Sequence, residues 1–200
     1  CRGRLGAATL IALLSLAVAA SAHAAPSWSA ATPAVFAASV HGASPYDEFR
    51  AVSCGGTGSC TAVGYVTRAP GVWEAFSQTL ANGAWGTAAL ADFPFGVQNA
   101  TPEASFNDVS CSGSGNCAAV GYFKNLGGTL EAFAQTLTAG TWGPATPAVF
   151  DVNVQAVPPN ATLHAVSCAS AGRGAPSRSI VNSRRNRSRP RLVLATIGTT

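Results

Sequence analysis

Charge is the scarcest property of this chain. Only 8 acidic and 12 basic residues occur in 200, lysine is found once, at Lys124, and methionine not at all. Amphipathic helices need solvated faces of Lys and Glu, so this scarcity argues against a helical bundle. The longest apolar run, Leu10 to Ala20, is too short to cross a bilayer as a helix. Catalytic signatures are missing too: there is no G-x-S-x-G and no H-E-x-x-H, and the glycine runs at 55–58 and 113–115 complete no phosphate loop. The three histidines, His23, His41 and His164, are scattered. No catalytic residue, metal-ligand set or cofactor is therefore assigned.

What is abundant points to strands and turns. The chain is 48% hydrophobic with 21 Gly and 12 Pro, a balance that suits short strands joined by tight turns and an all-β fold. Residues 1–24 read as a secretory signal: Arg2 and Arg4 precede the apolar run, and Ala22-His23-Ala24 has the small-x-small cleavage pattern. Export would carry the chain to an extracellular, or cell-surface, and oxidising setting. Charge is also divided by region. Between Ala25 and Cys168 three basic residues face all eight acidic ones, whereas seven arginines and no acid follow Cys168. The net +4 thus describes no single unit, and it does not support nucleic-acid binding.

One phrase is written twice. "VSCGGTGSCTAVGY" at 52–65 recurs as "VSCSGSGNCAAVGY" at 109–122, and residues 52–88 match 109–145 at 21 of 37 ungapped positions, too many for composition alone. Trp28, Trp85 and Trp142 keep the same period of 57. The expected organisation is a leading Trp strand and long loop at 25–48, repeat 1 at 49–105, repeat 2 at 106–162 and the start of a third repeat at 163–172. Each copy reads as four short strands, in the first copy 49–54, 60–66, 74–80 and 84–90. Asn82-Gly83 is a strong two-residue hairpin signal, and Ala139-Gly140 a weaker one. From Arg173 to Thr200 the third copy dissolves into an arginine-rich tail that reads as frameshifted or disordered; a basic anchor for anionic surfaces is the rival reading.

The cysteines follow the repeat. Cys54 with Cys60, and Cys111 with Cys117, each bracket five residues at the expected turn between first and second strands. Local disulfide staples fit an exported chain. Pairing between the copies stays open, and a four-thiolate zinc site would need tighter spacing than this. Glu74 and Glu131 begin equivalent "EAF" strands; a hydrogen-bonding role at the strand start is expected in preference to paired acid–base catalysis.

The phrase VSC-x5-C-x-AVGY, followed by G-x-W, resembles the repeats of secreted actinobacterial β-propeller-type proteins, over roughly residues 28–168. The resemblance implies export and four-stranded antiparallel blades, here an incomplete propeller of two-plus repeats, and it brings no catalytic residues. Gly140-Thr141-Trp142 is also similar to the end of a sialidase Asp-box, without the Asp that defines it.

Binding is expected on the long connections, where aromatic residues gather: Tyr46, Trp73, Phe93 and Phe95 are the candidates for stacking on sugars or peptides. The functional expectation is a binding or surface-interaction module without catalysis, acting on a cell-wall or extracellular glycan or a protein. The alternative is a propeller-type polysaccharide-processing enzyme, a glycosidase or lyase.

Overall fold

The computed structural model describes residues 34–36, 46–69, 72–148, 160–168, 181–183 and 191–193; the expected signal segment and the Trp28 strand lie outside them. Among the described residues the fold is all-β, with no helix. Strands β1 (Glu48–Gly56), β2 (Ser59–Ala69) and β3 (Val72–Ala81) run antiparallel in sequence order. The short strands β4 (Ala84–Trp85) and β5 (Ala89–Leu90) both pair with β3. A second sheet repeats this plan, with β6 (Ala104–Gly113), β7 (Asn116–Lys124) and β8 (Leu130–Thr138) in order, and β9 (Thr141–Trp142) and β10 (Thr146–Pro147) both on β8. Within the basic tail, β11 (Val181–Ser183) pairs antiparallel with β12 (Arg191–Val193). Each sheet is open: among the described residues they do not close into a ring.

The two larger sheets share their register at positions 57 apart. Cys54 lies opposite Cys60 and Cys111 opposite Cys117, and both pairs are disulfide-bonded within their own hairpin. Both first strands carry a bulge, between Phe49 and Ala51 and between Phe106 and Asp108. A bulge adds one residue and re-aims its side chain, and the residues so placed are Arg50 and Asn107.

The sequence reading gives one continuous fourth strand at 84–90, and the structure corrects it to two short pieces. The break falls at Gly86, whose N–H still donates in register to Thr79 O (2.9 Å) while its carbonyl turns out of the ladder to accept from Gln78 Nε2 (2.8 Å). Gly143, Thr136 and Gln135 do the same in the second sheet, at 2.9 and 2.6 Å. A buried glutamine thus satisfies the carbonyl that the interruption would otherwise leave without a partner.

Both expected two-residue turns form with positive φ at both central residues: Asn82 and Gly83 at 51° and 79°, Ala139 and Gly140 at 48° and 82°. Asn and Gly tolerate this conformation, whereas alanine is strained by about 1 kcal/mol. Ala139→Asn is therefore expected to raise the melting temperature by roughly 2–4 °C; a thermal scan that shows no gain would contradict the turn geometry.

Packing follows the pleat. Val63 and Ala75 from one face of the first sheet meet Phe106, Val109, Phe123 and Phe133 on the facing side of the second. The opposite side of the second sheet, through Ala118, Val120 and Ala132, is covered by Ala161, Leu163 and Val166. The connections also enter the core. Phe36 packs on Phe76 with centroids 4.8 Å apart, and Phe93, 57 residues later, packs on Phe133 at 4.8 Å. Their neighbours complete the sheets, Val35 O accepting from Ala88 N–H (2.8 Å) and Asp92 O from Ala145 N–H (2.7 Å).

Candidate functional site

Of the four aromatic candidates, the structure brings Tyr46 and Trp73 together and separates the other two. Phe93 lies between Phe123 and Phe133 at 5.0 and 4.8 Å, so its ring belongs to the core and is not offered to a ligand. Phe95, at the tip of the connection after the first sheet, is fully exposed and stacks on no ring among the described residues. Tyr46 and Trp73 flank Tyr65, with centroid separations of 6.3 and 5.7 Å and ring planes tilted by 34° and 39°.

The sheet register explains this grouping. Tyr65 on β2 is paired with Glu48 on β1 and with Ala75 on β3. Trp73 is two residues from Ala75 and so stands diagonally across from Tyr65 on the same face. Tyr46 lies two residues before the start of β1 and is held there by Thr67, whose hydroxyl donates to the Tyr46 carbonyl at 2.7 Å. On the third strand, the Trp73 N–H donates to Pro102 O at 2.9 Å, which ties the site to the connection entering the second sheet. Tyr65 is almost completely covered, whereas Tyr46 and Trp73 remain 67% and 38% exposed.

Charged groups border the rings. The Tyr65 hydroxyl donates to Glu48 Oε2 at 3.1 Å, Arg50 Nε lies 3.8 Å from Glu48 Oε1, and the Arg50 guanidinium sits 5.1 Å from the Tyr65 ring centroid. The last contact is a cation–π arrangement. Arg50 also donates to Asn107 Oδ1 at 3.0 Å, so the residue re-aimed by the bulge reaches the next sheet. Burial raises the Tyr65 phenol above its ordinary pKa, and the carboxylate of Glu48 adds to the effect. Burial likewise raises Tyr122, with Arg50 opposing the shift. Both phenols therefore stay protonated through neutral pH, with Tyr65 serving as a hydrogen-bond donor. Lys124 and Glu103 form an ion pair between β7 and the residue just before β6.

Glu48 and Arg50 escape notice when single motifs are sought, although the repeat does carry a signal for them. Positions 46, 48, 50 and 73 hold Tyr, Glu, Arg and Trp in the first copy, and Glu103, Ser105, Asn107 and Leu130 in the second. The scaffold positions match between the copies while these diverge, which marks them as residues not needed to build the sheet.

The two carboxylates at strand starts do not confront each other. Arg68 Nη1 reaches both Glu74 oxygens at 3.2 and 3.1 Å, and Asn125 Nδ2 donates to Glu131 Oε1 at 2.7 Å, each across its own β-hairpin. Among the described residues no group of three or more His, Cys, Asp or Glu side chains is gathered so as to hold a metal ion, and no helix is long and apolar enough to cross a membrane. The second disulfide lies at the inter-sheet contact, and Cys168 is the free cysteine of the described chain. No protein-family model matches the chain, and no curated protein matches it.

Proposed function

We propose that the protein is an exported, non-catalytic binding module built of propeller-type blades, and that it holds a cell-wall or extracellular glycan across Tyr46 and Trp73. One observation carries the reading. Two exposed rings flank a covered third, bordered by Glu48 and Arg50; the second copy keeps the covered ring as Tyr122 but has none of the other four side chains. Aromatic faces stack on the apolar faces of sugars, and neighbouring carboxylate and guanidinium groups hydrogen-bond sugar hydroxyls, which fixes orientation. The two hairpin disulfides fit an oxidising compartment. The propeller reading draws on the VSC-x5-C-x-AVGY resemblance and on the way the first sheet packs face to face with the second.

The test is calorimetric titration with a panel of soluble cell-wall and extracellular oligosaccharides. Trp73→Ala should weaken the best binder about 10- to 100-fold, as loss of an aromatic anchor does, and leave the melting temperature within a few degrees because the ring is partly exposed. Equal affinity in the variant would remove the site from the proposal. Release of reducing ends from any bound glycan would replace the module with an enzyme.

A further inference from the structure

Phe36 covers Phe76 and Val66 on the outer face of the first sheet, and among the described residues the rest of that apolar face is left open. Phe49, Val52 and Trp85 are 45%, 63% and 40% exposed, whereas Phe106 and Val109, their counterparts 57 residues on, are 0% and 5% exposed. Trp142, the counterpart of Trp85, is half-buried and stacks on Phe106 at 6.2 Å. The difference lies in what covers each face. Over the second sheet lie Ala51, Val63 and Ala75, small or compact side chains from the opposite side of the first.

What fits the open face can therefore be read from the molecule: a sheet that presents small residues and a serine hydroxyl. At the existing contact the Cys111 N–H donates to Ser53 Oγ at 3.0 Å. The same bond recurs one period later, where the Cys168 N–H donates to Ser110 Oγ at 3.1 Å. Residues 163–168, Leu-His-Ala-Val-Ser-Cys, thus lie on the second sheet as β6 lies on the first. They match residues 49–54 of β1, Phe-Arg-Ala-Val-Ser-Cys, at four of six positions. Among the described residues that segment belongs to no sheet; its one strand-like residue is Leu163, in an isolated bridge.

We propose that the protein assembles head to tail, the open face of the first sheet docking on the second sheet of another copy, where β1 takes the place of residues 163–168. Phe49 replaces Leu163, Val52 replaces Val166, and the Cys54 amide takes the Ser110 hydroxyl that the Cys168 amide gives up. The exchange substitutes a complete sheet for a single segment and buries Phe49, Val52 and Trp85, which is the gain that drives it. One residue opposes it. Asp47 stands where the two later copies have Ala104 and Ala161, so docking moves a carboxylate toward an apolar position. Such a contact is heterologous, and its repetition gives open chains or closed rings. The proposal does not depend on glycan binding.

Sedimentation velocity of the full chain over a wide concentration range tests it. The expected mass grows with concentration beyond that of a monomer. Val52→Lys, at an exposed position that leaves folding intact, weakens association about 100-fold. Asp47→Ala and Val166→Lys, the latter loosening the resident segment, each move the midpoint to lower concentration. A further arm fixes the polarity: Val52→Lys keeps its accepting second sheet, so adding it to the unsubstituted protein caps and shortens the assemblies. Far-UV circular dichroism confirms that each variant retains its sheets. A chain that stays monomeric at every concentration, with Val166→Lys monomeric as well, overturns the proposal. So does association that Val52→Lys neither weakens nor caps.

Discussion

Gly121→Ala is expected to destabilise the protein by more than about 4 kcal/mol, or to prevent folding, because a single methyl group would have to occupy space already filled by backbone. A Cβ at Gly121 would lie 1.9 Å from the Ser105 carbonyl oxygen and 2.8 Å from Phe106 Cα. Neither atom belongs to a side chain that could swing aside. The crowding comes from the bulge in β6: the extra residue, Asn107, bends the strand and drives the Ser105 carbonyl over the position opposite Phe106, which is Gly121. Gly64 faces the same arrangement in the first sheet, its Cβ falling 1.7 Å from Glu48 O. Gly113→Ala is the control, since a Cβ there meets nothing within 4 Å. Denaturant midpoints should separate the two variants widely, and similar midpoints would mean that the bulge does not press on β7.

The second large effect is expected at Phe133. Its ring is fully buried and has Phe93, Phe106 and Phe123 around it, with centroids at 4.8, 5.0 and 6.2 Å. Phe133→Ala removes the centre of that cluster and leaves a cavity that its neighbours, held by the sheet, cannot collapse into. A loss of about 3–5 kcal/mol follows, against a small change for the exposed Trp73. Equilibrium unfolding in urea measures both; a loss under about 1 kcal/mol at Phe133 would place the core elsewhere.

Much of the architecture was legible in the sequence because period and turn chemistry are local signals. Asn82-Gly83 announces its hairpin through the conformations those two residues tolerate, and the Cys-x5-Cys spacing places both thiols at the same level of adjacent strands. The fourth strand misled, since "AWGTAAL" has no residue that forbids a continuous ladder. Its interruption is set by Gln78 and Gln135, whose amides capture Gly86 and Gly143 from another strand. Phe93 misled for a different reason. A ring among Pro, Gly and Asp reads as a loop residue, and which way it turns is decided by the sheet beneath it. The spacing of Phe36, Phe93 and Phe150 by 57 residues was the available sign that this phenylalanine belongs to the scaffold. The aromatic site was half legible: Tyr46 and Trp73 stood out as aromatics on connections, but only the pairing of β1, β2 and β3 brings them to either side of Tyr65.

The bond from Ala145 to Asp92 and the ring of Phe93 bear on how this chain matures as it is made. The ring that closes the second sheet lies upstream of every strand in that sheet, as Phe36 lies upstream of the first. A polypeptide emerging amino terminus first therefore already holds each plug when the strands it will seal arrive. Neither sheet has to wait for later chain to fill that side of its interior, which shortens the interval in which an unfinished apolar surface is open to misassociation.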